Sequence, residues 1–332
     1  MRIEGIMRAL ADPTRLRIMR LLQTMELAVG ELAQVLGQSQ PRVSRHVAIL
    51  TESGLAERRR EGSWVFLRST CGPDGEPLAA AAASMLETAE TEDAGFAVQC
   101  ETDRQQLAAI RQSREAGATA WFADHAEEWD GLRGLHSPDG QVEQALADAL
   151  GEQPLGRLLD IGTGTGRMAE LFADRADHIV ALDKSLEMLR VARAKLQNLP
   201  ADRVELVQGD FSALPFAGAA FDTVLLHQVL HFAQDPARAL AEAARVVRPG
   251  GRIAIVDFAA HDREELRERF AHARLGFSDA DLADALHLAG FKPDEPTALS
   301  GGPLVVKIWL ATRAGASADP SNSSSNDKVA SP

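Results

Sequence analysis

The sequence predicts an α/β fold in two units: a small helical unit ended by a β-hairpin, then a larger unit on a parallel, doubly wound sheet closed by an antiparallel hairpin. Three observations predict it. Short helix-period segments, punctuated by cap and turn residues, fill the first 70 residues and run into two strand-like segments about a glycine. Beyond residue 118, five apolar strand segments alternate with helix-period segments, as crossover connections of a parallel sheet require. Three of those strands meet an acidic residue at their ends, at Asp160, Asp183 and Asp210. A length of 332 residues suits two domains.

In the first unit, Ile6, Leu10, Leu16, Met19 and Leu22 recur at roughly helical spacing. Asp12 and Pro13 divide that pattern, because aspartate caps a helix and proline suits its first turn. Residues 26–36 read as one short helix with Leu27, Leu32, Val35 and Leu36 inward. Gly37-Gln38-Ser39 makes a tight turn, and Ser39 can cap the next helix, residues 40–53. Val43, Val47 and Leu50 face its inside, and Gly54 ends it in a left-handed conformation. Gln40, Arg42, Ser44, Arg45 and His46 remain on the other faces. Gln and Arg can pair bidentately with adenine and guanine edges in a major groove. Ser44 and the helix N-terminus at Ser39 can hold phosphate. Residues 55–60 and 64–68 read as a hairpin about Glu61-Gly62-Ser63, and Arg58, Arg59 and Arg60 suit phosphate or minor-groove contact. A polar helix pair with a solvated charge run is the plain alternative. Against it, turn, helix, arginine strand and glycine turn follow in order.

Charge is divided in the same way. Residues 1–70 hold 11 Lys/Arg against 7 Asp/Glu, a net +4, while the remainder holds 24 against 41, a net −17. A basic unit on an acidic body fits one in which only the first part meets a polyanion. No apolar run approaches the ~18 residues of a membrane span. The opening Met1-Arg2-Ile3-Glu4 lacks a secretory pattern, and Cys71 and Cys100 fit no zinc spacing or disulfide framework. The expectation is a cytoplasmic protein with no membrane partner and no metal.

Residues 3–68 resemble the ArsR-type winged helix-turn-helix repressors, through ALADPTRLRIMRLL and ELAQVLGQSQPRVSRHVAILTESGLAERRREGSWVFLR. The resemblance implies a homodimeric, DNA-binding transcriptional regulator that sets two recognition helices about one DNA turn apart on an operator. Many such proteins sense metal through cysteines in the helix before the recognition helix. Ala28 and Gly30 stand at those positions here, and neither side chain can be a ligand.

Residues 71–117 read as a helical connector and dimerisation segment with a polar break at 87–93, and residues 314–332 as a small, polar, disordered tail. Between them, residues 157–166 run from an apolar strand into a glycine turn, Gly162-Thr163-Gly164-Thr165-Gly166, ahead of a helix. Further strands read at 178–182, 204–207, 221–226 and 252–256. Residues 291–299 and 304–312 flank Ser300-Gly301-Gly302 as a closing hairpin.

Gly164 to Ala169 formally fits the GxGxxA of a dinucleotide site. One acid at each of three successive strand ends suits S-adenosylmethionine (SAM) better, since SAM has no pyrophosphate. Asp160 would serve its amino-acid end, Asp183 its ribose hydroxyls and Asp210 the adenine amine, with Phe211 packed on the ring. LLDIGTGTGRM, ALDKS, VQGDFSALPF, FDTVLLHQVLHF and RPGGRIAIVDF together resemble the class I SAM-dependent methyltransferases, the UbiE-like group in particular. That resemblance implies a Rossmann-like domain over residues 118–313 binding SAM or S-adenosylhomocysteine (SAH), with Gly162, Gly164, Gly166, Asp183 and Asp210 as contacts.

His227 ends the fourth strand and His231 follows one turn later; either can be a general base or a pocket residue. Asp257, His261 and His272 could form a second polar cluster near the exit of the fifth strand. Two functions of different class follow. One is a DNA-binding regulator, acting as a repressor, whose second domain senses or uses SAM or SAH. The other is an active small-molecule methyltransferase whose DNA binding is autoregulatory.

Overall fold

The computed structural model describes residues 3–61, 64–71, 76–126, 139–200 and 203–315. The first unit holds α1 (Ile3–Leu10), α2 (Pro13–Leu22), β1 (Leu27–Ala28), α3 (Val29–Leu36), α4 (Gln40–Glu52), β2 (Ala56–Glu61) and β3 (Trp64–Ser69). Asp12 caps α2 by accepting from the Arg15 amide at 3.1 Å, with Pro13 in the first turn. Gly37, at φ +62°, ends α3. Ser39 stands at the N-cap of α4 in extended conformation, but its side chain makes no capping bond. Val43, Val47 and Leu50 of α4 are fully enclosed, and Gly54, at φ +77°, turns the chain out of the helix.

Residues 26–36 are not one helix. Leu27 and Ala28 pair with Leu67 and Phe66 of β3, and this third strand delays the start of α3 to Val29. Ala28 offers no side-chain cap, but Glu31 in the first turn of α3 accepts from the Ala28 amide at 2.9 Å. β2 and β3 form the expected antiparallel wing, Arg59 opposite Phe66. The wing's turn residues 62–63, most of the loop expected at 71–77 and all but the first two residues of the expected tail lie outside the described residues.

Two long helices follow, α5 (Pro77–Glu92) and α6 (Ala94–His125). The acidic run at 87–92 continues α5, and the interruption is confined to Asp93, which caps α6 by accepting from Gly95 and Phe96 at 2.9 and 3.0 Å. α6 spans 32 residues and passes residue 117 unbroken. Arg17 of α2 fixes it through a two-pronged contact with Asp103 at 2.7 and 2.6 Å, and Asp103 is 1% exposed. Glu90 of α5 accepts from Arg20 and Arg104, tying α2, α5 and α6 together.

The larger unit is an eight-stranded sheet: β4 (Gly156–Ile161), β5 (Ala176–Asp183), β6 (Val204–Gln208), β7 (Phe221–His227), β8 (Val247–Phe258), β9 (Phe291–Pro293), β10 (Thr297–Leu299) and β11 (Val306–Arg313). The order is β10-β11-β8-β7-β4-β5-β6, with β4 to β8 parallel and β11 antiparallel to β8. β9 and β10 both pair with β11, so the expected closing hairpin is present but its first arm is split. Pro293 and Pro296 explain the split, because proline has no amide to continue a ladder.

Helices α7 (Asp139–Ala149), α8 (Arg167–Phe172), α9 (Leu186–Leu196), α10 (Pro236–Val246), α11 (Glu265–Phe270) and α12 (Asp279–Leu288) cover the sheet. Alternate strand residues feed two cores. Leu159, Ile161, Val224 and Ile255 belong to one, and Leu158, Ile179, Leu225 and Ala254 to the other. Burial on both faces is what near-continuous apolar strands of a parallel sheet provide. Among the described residues no helix is long and apolar enough to cross a membrane.

Candidate ligand cavity and nucleic-acid face

β4 leaves the sheet through the glycine turn. Gly162 and Thr163 both donate to the Leu182 carbonyl, at 2.8 and 2.9 Å, which clamps the turn to the end of β5. Gly162 adopts φ +70°, and a β-carbon there would collide with Val229. Gly166, at φ +83°, starts α8, and a β-carbon would lie 2.9 Å from Leu196. Asp160 is 1% exposed and accepts from the Thr163 hydroxyl at 2.6 Å, so its role within the protein is to shape this turn.

Asp183 closes β5. One of its oxygens accepts from the Gly164 amide and the other from the Ser185 amide, both at 2.8 Å. Burial pushes its carboxyl above the usual range, against the pull of those backbone amides. Asp210 follows β6 and behaves oppositely. Burial pushes it up, but Lys184 at 2.8 Å and Ser212 outweigh that and hold it below the usual range. Two carboxylates at neighbouring strand ends are thus set apart by their surroundings: one braced by backbone, one by a cation.

Asp160, Gly162, Gly164, Asp183, Asp210 and Phe211 all line a single cavity of about 490 Å³. Gly166 does not; it sets the approach of α8 to α9. The opposite wall comes from outside the larger unit. Thr24 and Met25, in the connection between α2 and β1, line the cavity, as do Arg104, Leu107, Arg111 and Phe122 of α6. Phe122 meets Phe232 edge-to-face at 4.8 Å, and Arg111 approaches Glu31 of α3 at 3.9 Å.

The two histidines are separated. His227 lines the cavity at the end of β7, next to Gln228, which also lines it and holds φ +53°. Such a conformation is uncommon for a residue with a side chain and often marks a functional site. His231 is not among the described residues that line the cavity. Its ring nitrogen lies 2.7 Å from Asp257, its amide donates to the same carboxylate at 3.1 Å, and the ring stacks on His272 at 4.1 Å. His261 stands farther out, 6.2 Å from the Phe258 ring. Among the described residues no group of three or more His, Cys, Asp or Glu is placed to hold a metal ion.

On the first unit, Ser39, Gln40, Arg42 and Arg45 are exposed on α4, and Ser44 is half-buried beside them. Gln40, Ser44 and Arg58 share a groove between α3, α4 and the wing. Arg58 and Arg60 project from one face of β2. The two-residue period of a strand sends Arg59 to the other face, where it grips Glu26 at 3.1 and 3.2 Å and lies 5.4 Å from the Phe66 ring centre. His46 likewise turns inward, 3.6 Å from Asp12. Among the described residues, the exposed cations of α4 and β2 are therefore Arg42, Arg45, Arg58 and Arg60.

Met25, Arg111, Phe122, Gln228 and Phe232 also line the cavity and were not expected from the sequence. Only Gln228 and Phe232 carried a signal, their place just beyond a strand end. The others reach the cavity through packing between units.

Residues 12–58 match the family described as bacterial regulatory protein, arsR family. Residues 159–255 match the family described as methyltransferase domain. A demethylmenaquinone methyltransferase of Renibacterium salmoninarum is 37% identical over 142 residues, 42% of this chain and 57% of that protein. Its counterpart from Clavibacter sepedonicus is 40% identical over 115 residues, 35% of this chain and 44% of that protein. The chain spans about half the length of the curated relatives it matches. A solved chain from the complex of the Haloferax volcanii Trm112 methyltransferase activator with a methyltransferase aligns at TM-score 0.50 and 21% identity, over 59% of this chain and 97% of that one. That likeness concerns the fold alone.

Proposed function

For a chain that carries an arsR-family helix-turn-helix segment and a methyltransferase domain, we propose a DNA-binding transcriptional regulator, a repressor, whose second domain binds SAM or SAH and adjusts DNA affinity. One observation carries the reading. The cavity that gathers the glycine turn, Asp183 and Asp210 is walled on its far side by Thr24 and Met25 of the first unit and by α6, which Asp103 ties to α2 of that unit. A ligand there touches both halves, and a ligand shifts an equilibrium only through such differential contact.

The donor set suits the ligand. Asp183 offers two acceptors for a ribose diol, Asp210 an acceptor for an adenine amine, and Phe211 a ring face. Arg42, Arg45, Arg58 and Arg60, all exposed, would supply the contacts to phosphate and base edges. Exposed large apolar side chains, Ile3 and Met7 one turn apart on α1 and Leu78 and Met85 two turns apart on α5, support a homodimer, since apolar surface on a helix face favours association.

The test is a titration of duplex DNA with the full chain, alone and with SAM or SAH, while demethylated product is followed in parallel. DNA affinity that changes with ligand supports the proposal. A chain that fails to bind DNA, fails to bind SAH, or binds SAH with no change in DNA affinity would refute it.

A second reading, turnover of a small acceptor, is favoured by His227 at the cavity wall. Bound SAM supplies an electrophilic methyl group on sulfur. His227 would take the proton of an acceptor hydroxyl or amine as its heteroatom bonds to that carbon and the sulfur keeps the electron pair of the broken bond. His227→Gln should then stop product formation while SAH still binds.

A further inference from the structure

Cavity and wing meet at Glu26. Met25 lines the cavity, and Leu27, on the other side of Glu26, is paired with β3 of the wing. The Glu26 carboxylate accepts from Arg59 of the wing and, at 3.0 Å, from Arg274 of the larger unit. Arg274 is 3% exposed, and its guanidinium lies over the Phe66 ring of the wing, 4.1 Å from its centre. The same guanidinium reaches the carbonyl of Gln234, a cavity residue, at 3.4 Å.

A second path runs from the cavity to the same arginine. Phe232 lines the cavity. The carbonyl of its neighbour His231 accepts from the amides of Ala273 and Arg274 at 3.0 and 2.9 Å. The His231 ring is held by Asp257, so this carbonyl has little freedom. Arg267 bonds the Ala273 carbonyl and lies over Trp64 of the wing, 4.6 Å from the ring. A half-buried cluster of one carboxylate between two guanidinium groups adds little net stability, because desolvation offsets attraction; what it defines is a geometry.

We propose that Glu26 is a positioning residue that couples the ligand cavity to the wing: a ligand against Met25 and Phe232 moves the Glu26–Arg274 contact, and with it the wing relative to α4. The proposal rests on the reading that the cavity binds SAM or SAH. It assigns the coupling to one contact outside the cavity wall.

The experiment uses the full chain, SAH as probe, and a duplex selected for binding from a random-sequence pool. DNA affinity is measured with and without saturating SAH, and SAH affinity by calorimetry. In the wild-type chain SAH should change DNA affinity at least about 5-fold, the lower end of ordinary allosteric coupling. In Glu26→Gln the change should fall below about 2-fold while SAH affinity stays within about 3-fold, a split that simple loss of folding does not produce. Arg274→Gln removes the same contact from the other side, so the test survives if one variant fails to fold. Coupling kept in both variants would overturn the role of Glu26 and leave the ligand reading intact. Failure of SAH to bind the wild-type chain, or binding with no effect on DNA, would overturn both.

Discussion

Replacing Asp183 by Asn keeps the shape of the strand end but removes its charge and one acceptor. Both oxygens of Asp183 already accept from backbone amides, Gly164 on one and Ser185 on the other. Whichever way an asparagine sits, its NH₂ group must face one of these amides, donor against donor. That conflict should cost about 1–3 kcal/mol of stability in the ligand-free chain. A ribose diol would lose one charge-assisted bond outright and keep a weaker neutral one, together about 2–4 kcal/mol of binding. At about 1.4 kcal/mol per factor of ten, SAH should bind roughly 30- to 1000-fold more weakly. Calorimetry reads this directly, and thermal unfolding separates the stability cost. An affinity within about 3-fold of wild type would refute the ribose assignment. The pH dependence supplies a second check. Burial raises the Asp183 carboxyl, so the ionised form that accepts from hydroxyls is lost on acidification sooner than for an ordinary aspartate. SAH affinity should fall as pH falls through that raised value and level off above it, and Asp183→Asn should show no such step. For the ligand-free chain the sign is reversed: the stability contributed by this group is present at low pH and lost as pH rises through the raised value.

Arg45→Ala should weaken binding to a selected duplex by ~1–3 kcal/mol and relax its base preference; unchanged selectivity in a binding-site selection would remove α4 from base readout. Arg17→Ala leaves the buried Asp103 carboxylate without its guanidinium and should cost ~3–5 kcal/mol, seen as a lower urea midpoint for the first unfolding transition. Lys184→Met removes the cation that keeps the Asp210 carboxyl low. A depressed carboxyl stabilises above its unfolded value and loses that stability as pH falls through the folded one, so acid unfolding should move to higher pH in this variant. Gly162→Ala meets both a left-handed backbone and Val229, and should abolish SAH binding in calorimetry even where the chain still folds.

Much of the site was legible because its determinants are local. Asp12 with Pro13, Gly37 and Gly54 punctuate helices through their own backbone preferences, whatever surrounds them. The glycine turn and the acids beyond β5 and β6 follow from strand ends in a parallel sheet, and the cavity gathers Asp160, Asp183 and Asp210 as those positions imply. The reading of residues 26–36 as one helix failed for a non-local reason: Leu27 and Ala28 find partners in β3, some forty residues away. His46 and Arg59 looked equivalent to their outward neighbours in a string of polar residues. Helix and strand periodicity, together with Asp12 and Glu26 as partners, turned both inward.

Taken alone, the order of residues determined which two kinds of unit are present, which helix presents arginines, and which strand ends present acids, because caps, turns and periodicity act over a few residues. Tertiary structure decided that the two units share one cavity. Met25, Arg111 and Phe122 carry no chemical signature of a ligand wall, and they become one only because α6 and the α2–β1 connection pack over the open ends of the strands. It also decided the junction at Glu26, where Arg59 and Arg274, 215 positions apart in the numbering, meet one carboxylate that burial alone would leave too costly to keep charged.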